Sequence, residues 1–297
     1  MIAPLVASAE HLGFLCAVSA EQRVFTTEEE GLFRAVADQA AVALKKSELI
    51  ERLTAENLVK DVFDALEAGA TDVAAAKARE AGLDLARPHA FLHAEPVTAA
   101  FEERLRALLP TALVDVRPEG ARVLVTLPAD DQERRAAEIH ASCDELARDG
   151  EVVIGLSRIS YGVKESARAL GEATDASRIG RALRGPGAAL RHDQLGAYRY
   201  LVHLDLEKAP HDDYWRAVEA LIEYDERRRT RLVETLEQYL RDRRSVAASA
   251  RALFIHPNTV RQRLDRIETL SGLAIAAADL LSLELAIKLV RLHRAPR

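Results

Sequence analysis

The chain has 297 residues, of which 48% are hydrophobic, and its formal net charge is −6. This length allows roughly two or three domains with cores of their own, and the composition excludes a disordered chain. The charge is uneven, because residues 225–297 hold fifteen Lys or Arg against nine Asp or Glu and so carry +6. A basic C-terminal segment on an acidic chain is typical of a protein that touches nucleic acid through one end.

The cysteine count and the apolar runs exclude several other classes. Cys16 and Cys143 lie far apart and in no metal-binding motif, so we expect no disulfide and no metal, and each thiol should be a small apolar core group. No apolar run approaches the roughly 18 residues of a membrane span, and the N-terminus lacks a secretory signal pattern. We therefore expect a cytoplasmic protein with no membrane contact.

The N-terminal pattern predicts a β-hairpin followed by a long helix. Residues 2–7 and 13–18 alternate as strands do, with a turn at residues 9–11. Thr27, with Glu30 three positions later, forms a capping-box pattern that opens a helix. The helix should run to about residue 68 and end at Gly69.

Within this helix the apolar stripe narrows over residues 45–58. Leu49, Ile50 and Leu53 line the stripe, and charged residues flank it. A narrow apolar stripe between charges is typical of a helix that pairs with a copy of itself. We therefore predict a homodimer through the N-terminal helix.

Residues 86–200 alternate strand and helix patterns. After a short helix at 73–81, strand patterns occur at residues 90–94, 112–116, 122–127 and 152–156, and helix patterns at residues 101–109, 132–147 and 163–183. This order predicts an α+β domain with a hairpin at Pro118-Glu119-Gly120 and its helices on one face of the sheet. His89 and His93 fall in the first strand, where their spacing does not suit one metal ion. Residues 201–210 are interpreted as a linker, followed by helices at 212–224 and 230–241.

Residues 245–272 predict a helix-turn-helix. The first helix has an apolar face at Val246, Ala250 and Leu253, and the second at Val260, Leu264 and Ile267. Pro257 suits the first position of the second helix, beside His256, and Gly272 suits its end.

The opposite side of the second helix carries groups that can read bases. Asn258, Arg261 and Gln262 lie there, and Asn and Gln amides pair with adenine while Arg pairs with guanine. Asp265 shares this side, and the pattern leaves open whether it orients Arg261 or accepts from cytosine. The flanking residues predicted to contact phosphate are His256, Thr259, Arg263 and Arg266.

Two further segments carry predictions near the C-terminus. Arg227-Arg228-Arg229 is either a phosphate-binding patch or a hydrated loop. The last helix pattern, residues 280–290, is apolar on more than one side, so we expect it to be buried both by its own domain and by a partner copy. This helix is the second candidate dimer contact.

The C-terminal motifs resemble those of PucR/CdaR-type bacterial transcriptional regulators. The resemblance extends over residues 221–290 and includes Leu236-Glu237-Gln238-Tyr239-Leu240 and His256-Pro257-Asn258-Thr259-Val260-Arg261. It implies that the helix starting at this second motif is the recognition helix, with functional positions at His256, Asn258, Thr259, Val260, Arg263 and Leu264. Pro257 replaces the basic residue that is frequent in the family, which removes one phosphate contact.

The rest of the chain resembles other parts of the same regulators. Residues 25–28 and 38–44 are similar to the end of a GAF sensory domain, most of whose ligand pocket is missing here. The central segment resembles a degenerate GGDEF-like domain, with Arg117-Pro118-Glu119-Gly120 where an active cyclase carries its glycines and metal-binding carboxylates. We therefore expect no bound metal or cofactor and no enzyme activity.

Together these observations predict a multidomain α+β protein. The expected divisions are a partial GAF domain at 1–44, a helical linker and dimerisation helix at 45–85, a ferredoxin-like or GGDEF-like domain at 86–200 and an all-α helix-turn-helix domain at 211–297. The predicted function is a homodimeric, sequence-specific transcriptional regulator that binds double-stranded DNA and responds to an unknown small-molecule effector. The alternatives are a nucleotide-binding or cyclase-like signalling enzyme and a scaffold that pairs only with proteins.

Overall fold

The structure is a computed structural model that describes residues 1–19, 24–209 and 211–294. It divides into two compact units, Met1–Leu85 and Ala86–Arg297. Pro210, at the end of the predicted linker, and residues 295–297 of the predicted C-terminal domain lie outside the described residues.

The first unit opens with the predicted hairpin. Strand β1 (Ile2–Ala7) pairs antiparallel with β2 (Glu10–Cys16), so the turn is tighter and earlier than the expected 9–11. Ser8 and Ala9 make this turn with φ values of 50° and 65°. Leu5 and its neighbours on β1 pack against Ala37 and Ala41 of the following helix. Cys16 is exposed, so the expectation that it belongs to a core is wrong.

The long helix α1 (Thr27–Glu67) has the predicted length and end, but its cap lies one residue earlier. Thr26 has extended backbone angles and accepts from the backbone N–H of Glu29, while the Glu29 side chain accepts from the backbone N–H of Thr26. Thr26/Glu29 and Thr27/Glu30 have the same spacing, so the pattern alone does not separate them. Helix α2 (Thr71–Glu80) packs back on α1, with Lys77 Nζ 3.4 Å from the Asp61 carboxylate.

The second unit contains a sheet with strand order β4-β5-β3-β6-β7. Its strands are β3 (His89–Glu95), β4 (Leu113–Arg117), β5 (Gly120–Thr126), β6 (Val153–Leu156) and β7 (Ala188–Arg191). The first four in this order are antiparallel to their neighbours, which is the ferredoxin-like arrangement, and β7 adds in parallel to β6. The predicted ferredoxin-like α+β fold is confirmed, and β7 is an addition that the sequence pattern missed.

The helices cover both faces of this sheet, so the prediction that they pack on one face is wrong. Helices α3 (Ala99–Leu108) and α4 (Gln132–Gly150) share a core with Leu92, Ala94 and Ile154. Helix α5 (Gly162–Arg184) packs on the other face. There Gly155 meets α5 so closely that a Cβ would lie 2.0 Å from the Ala173 carbonyl oxygen. Strand β3 is buried on both faces, and its two histidines, His89 and His93, are buried with it.

Six further α-helices complete the described part of the second unit. They are α6 (Tyr198–Leu201), α7 (Asp213–Arg228), α8 (Leu232–Arg241), α9 (Val246–Ala252), α10 (Pro257–Ser271) and α11 (Leu280–Arg294). Trp215 of α7, Leu236 of α8 and Ile287 of α11 lie in one shared core with Ile267 of α10.

Helix α11 is buried on two sides, as its pattern predicts, but the same chain covers both of them. One side packs on α7 and α8, and the other contacts α5 and α6 of the sheet domain. Leu292 joins the cluster that includes Ile179 and Leu195. Only its start exposes large apolar side chains, at Leu280 and Leu281. The face that was assigned to a partner copy is therefore used within the chain.

Candidate DNA-binding surface

Helices α9 and α10 form the predicted helix-turn-helix, with the expected signals at their ends. Ser245 caps α9 by accepting from the backbone N–H of Ala248 at 3.3 Å. His256 caps α10, where its Nδ1 accepts from the backbone N–H of Asn258 at 3.2 Å. Pro257 occupies the first turn, and Gly272 ends the helix in the left-handed conformation with φ 70°.

The apolar face of α10 fixes which side chains point away from the domain. Val260 and Ile267 are fully buried, and Leu264 packs at the edge of the same core. Asn258, Arg261, Gln262 and Asp265 are all exposed. The amide and guanidinium groups predicted to read bases therefore share the solvent-facing side of one helix, which we call the α10 outer face.

Asn258 and Arg261 hold each other on this face. Arg261 Nη1 donates to Asn258 Oδ1 at 2.8 Å. In the free protein Asn258 therefore orients Arg261. The sequence analysis named Asp265 as one candidate for that role. Among the described residues, no hydrogen bond or ion pair involves the Asp265 carboxylate.

The residues predicted to contact phosphate fall into two groups. His256 is exposed and Thr259 is half-buried at the start of α10, where positive helix-dipole charge favours anions. Arg263 and Arg266 instead reach neighbouring helices. Arg263 Nη1 donates to Thr235 Oγ1 of α8 at 2.9 Å, and Arg266 lies over the Tyr224 ring of α7, 5.0 Å from its centroid. Both arginines thus brace α10 against the domain, and phosphate contacts through their remaining N–H groups stay a prediction.

Asp225 is a structural residue near this surface that the sequence pattern did not single out. Its two carboxylate oxygens accept from the backbone N–H groups of Leu232 and Val233, each at 2.9 Å. It therefore caps α8 from the preceding helix. Its signal in the sequence is an Asp between the two predicted helices, at 212–224 and 230–241, but Arg227-Arg228-Arg229 separates it from the second helix. Those three arginines are exposed at the end of α7, where both a phosphate patch and a hydrated turn remain compatible.

The corner between α9 and α10 carries an exposed aromatic side chain. Phe254 is 95% exposed and has a φ of 55°. Upstream, the Arg244 guanidinium donates to the carbonyl oxygens of Ala276 and Ala278, which ties the segment before α9 to the loop before α11. These two hydrogen bonds hold the segment before α9, and so the corner that follows it, against the loop before α11.

The central sheet offers a second place to look for chemistry, at the β4–β5 hairpin. Pro118 and Glu119 make the turn, as predicted. Just beside it, Asp115 is paired with Arg117 at 3.0 Å and with the buried Arg122. Within the described ranges, no three His, Cys, Asp or Glu side chains are grouped as metal ligands would be.

His89 and His93 lie on the α5 side of the sheet, where each is hydrogen-bonded to a different serine of α5. His89 Nε2 is 2.8 Å from Ser166 Oγ, and His93 Nδ1 is 2.7 Å from Ser177 Oγ. Burial lowers the pKa of His89. These contacts make both histidines parts of the sheet–helix packing.

Comparison with known families gives three matches. Residues 232–289 match the PucR C-terminal helix-turn-helix domain, residues 67–179 a GGDEF-like domain and residues 1–44 a GAF domain. Uncharacterized proteins of Mycobacterium tuberculosis and Mycobacterium bovis are 54% identical over 41 residues. That match spans 14% of this chain and 10% of each relative. No helix within the described ranges is both long and apolar enough to cross a membrane.

One solved structure resembles the chain over most of its length. It is the Regulator of Polyketide Synthase Expression from Bifidobacterium adolescentis, with 20% sequence identity and a TM-score of 0.41. The alignment covers 80% of this chain and 93% of that one.

The cap residues and the tight corner form a helix-turn-helix, and the segment that contains it matches the PucR C-terminal helix-turn-helix domain. In chain order, the matched segments resemble a GAF domain, a GGDEF-like domain and a PucR C-terminal helix-turn-helix domain. The resemblance that the sequence motifs indicated is confirmed.

Proposed function

We propose that this protein is a sequence-specific transcriptional regulator that binds double-stranded DNA as a homodimer. The observation that carries the proposal is the α10 outer face, where exposed Asn258, Arg261 and Gln262 are supported from behind by buried Val260 and Ile267. An α-helix fits the major groove, and these side-chain types can pair with adenine and guanine edges. His256, Thr259, Arg263 and Arg266 are proposed to contact the flanking phosphates.

A homodimer suits this function because two copies place two recognition helices on one duplex. Such helices read half-sites about 34 Å apart, or a multiple of that spacing. The exposed Leu49, Ile50 and Leu53 of α1 support pairing through the N-terminal helix. We also retain the division into four parts at residues 1–44, 45–85, 86–200 and 211–297, and the cytoplasmic location that binding to chromosomal DNA requires of a bacterial regulator.

We further propose that the N-terminal and central parts sense an effector. An effector changes DNA binding only if it binds one arrangement of the protein more tightly than another.

The central domain is proposed to act without catalysis. A cyclase would use carboxylates at the β4–β5 hairpin to hold two metal ions. Here Glu119 is the only carboxylate of the turn, and Asp115 is engaged by two arginines. GTP incubated with the protein and Mg²⁺ or Mn²⁺ should release no pyrophosphate, and sustained release would favour the enzyme alternative.

Binding of promoter fragments, measured by gel shift at several salt concentrations, tests the DNA-binding role. Arg261→Ala should change the preferred sequence at one base pair, at a cost of about 1–3 kcal/mol for the favoured base. Arg266→Ala should weaken binding to all sequences alike and reduce the dependence on salt.

The matched control is Arg134→Ala, which removes an equal charge from an exposed position on α4 of the sheet domain. It should bind like the parent. If Arg261→Ala and Arg266→Ala also bind every fragment like the parent, the assignment of the α10 outer face is wrong.

A further inference from the structure

A cavity of about 530 Å³ opens in the second unit, where the sheet domain meets the DNA-binding helices. Its walls come from α5, from the segment after α6 and from the last turn of α11. Val202, Leu204 and Leu206 of the segment and Leu292 of α11 give it an apolar side. Its volume lies in the range of roughly 300–1,000 Å³ that is usual for small-molecule sites, which often occur at domain junctions.

The floor of the cavity is polar and ordered. Ser177 donates its hydroxyl to the Thr174 carbonyl oxygen at 2.9 Å. His93 Nδ1 is hydrogen-bonded to Ser177 Oγ at 2.7 Å. Both side chains are buried, so this floor is fixed by packing before any ligand arrives.

Five charged side chains line the cavity, and they are Glu95, Asp205, Glu207, Arg178 and Arg181. Within the described part of the chain, one of the two guanidinium groups makes no direct contact with a carboxylate. Glu95 lies 3.3 Å from Arg181, and Asp205 lies 2.7 Å from Lys208. Arg178, also in the wall, forms no hydrogen bond or ion pair among the described residues. The carboxylate one turn before it, Asp175, is within electrostatic range of Arg178, but its ion pair, at 3.1 Å, is with His203. A guanidinium with no hydrogen-bonded partner can bind a carboxylate, sulfonate or phosphate group of a ligand.

Helix α11 connects the cavity to the DNA-binding helices. Leu283, Ile287 and Val290 of α11 belong to the core that also holds Ile267 of α10. One turn further on, Leu292 and His293 line the cavity. A molecule that fills the cavity therefore contacts a helix whose other side packs on α7 and α8, the helices on which the recognition helix α10 rests.

We propose that this cavity binds a small organic anion with an apolar body, and that its occupancy is coupled to DNA binding through α11. The proposal rests on the proposed function, and it gives the sensed effector a site and a chemical class. Arg178 binds the anionic group, and the apolar side of the cavity, described above, contacts the apolar body of the ligand. Coupling follows if the ligand favours one placement of α11 against α5 over another.

The first test uses the fluorescent anion 8-anilinonaphthalene-1-sulfonate as probe. Trp215 is the only tryptophan of the chain, and His293, which lines the cavity, lies 5.3 Å from its ring centroid. We expect saturable binding of one probe per chain, with a change in Trp215 emission. Arg178→Gln should weaken binding by about tenfold or more, the usual effect of losing a charged hydrogen bond. Ala182→Phe, which places a ring in the cavity, should abolish it.

Two controls make this test specific. Arg184→Gln removes an exposed charge from the same helix outside the cavity and should leave binding unchanged. The neutral analogue N-phenyl-1-naphthylamine should bind equally to the parent and to Arg178→Gln. Because Arg178 is exposed, its replacement preserves the fold even if the bulkier Ala182→Phe variant fails to fold. Equal affinity of the anion for the parent and both cavity variants overturns the site.

The second test measures coupling by gel shift, with and without saturating probe. The probe should change the apparent Kd for DNA by about threefold or more in the parent and leave the Ala182→Phe variant unaffected. Probe binding without any DNA binding would contradict the proposed function and leave the site standing. DNA binding without probe binding would contradict the site, and independent binding of both would contradict the coupling.

Discussion

Arg261 and Asn258 form a hydrogen-bonded pair on the α10 outer face. Helix periodicity placed both side chains outward, but the hydrogen bond between them depends on rotamers that periodicity does not determine. In the free protein Asn258 Oδ1 already accepts from Arg261. Each side chain therefore limits the geometry in which the other can meet a base.

We expect the effects of Asn258→Ala and Arg261→Ala on DNA affinity to be non-additive. Removing Asn258 also releases Arg261, so the double variant should lose less affinity than the sum of the single losses, by about 0.5–3 kcal/mol. A double-mutant cycle measured by fluorescence anisotropy checks this. The same cycle between Gln262→Ala and Arg266→Ala, for which no mutual contact is seen, serves as control, and additivity in the first cycle would refute the pairing.

The two cysteines should differ sharply in reactivity. Cys143 is fully buried, and burial raises the pKa of its thiol to about 12, whereas Cys16 is exposed. At pH 8 a thiol-specific disulfide reagent should titrate one thiol per native chain and both thiols in guanidinium. Because the folded pKa is raised, stability from this group is retained below its ordinary pKa and lost as the pH rises through about 12. Rapid reaction of both native thiols would contradict the burial of Cys143.

At the scale of elements, local signals were sufficient where an end is set by its own residues. Pro257 and Gly272 defined α10 correctly, and Gly69 the end of α1. Local signals were insufficient where a partner is distant in sequence. Arg263 meets Thr235, and α5 crosses to the second face of the sheet over Gly155, because of tertiary packing that no window of the sequence contains.

The cap that Asp225 provides to α8 gives a prediction at this scale. Asp225→Ala leaves the first N–H groups of α8 without their acceptor and should destabilise the C-terminal helices by about 1–2 kcal/mol. Trp215, buried in the core of these helices, reports their thermal unfolding by fluorescence. Asp130→Ala, at an exposed position in the sheet domain, should leave that midpoint unchanged. An unchanged midpoint in Asp225→Ala would show that the cap contributes little.

For the whole molecule, the order of the domains could be predicted from motifs, because each motif belongs to one local unit. The packing of the helices inside the second unit could not be predicted in this way. Helix α11 reads as doubly apolar in sequence, and only the structure reveals that α5 and α6 cover its second side.

The proposed dimer is tested at this scale through α1. Leu53→Glu places a charge in the exposed apolar stripe and should convert the dimer to monomer at micromolar concentration, as sedimentation velocity would show. Ala55→Glu adds the same charge on the opposite side of the helix and should remain dimeric. A Leu53→Glu variant that stays dimeric would place the contact elsewhere.

The double attachment of α11 also bears on how the DNA-binding part can be studied in isolation. A fragment cut near residue 211 would keep α11 but lose the surface that shields Leu292 and the Tyr198 ring beneath Lys288. Such a fragment would expose an apolar patch that is covered in the whole chain. Any self-association of the fragment would then result from this exposed patch and would not show how the intact protein assembles.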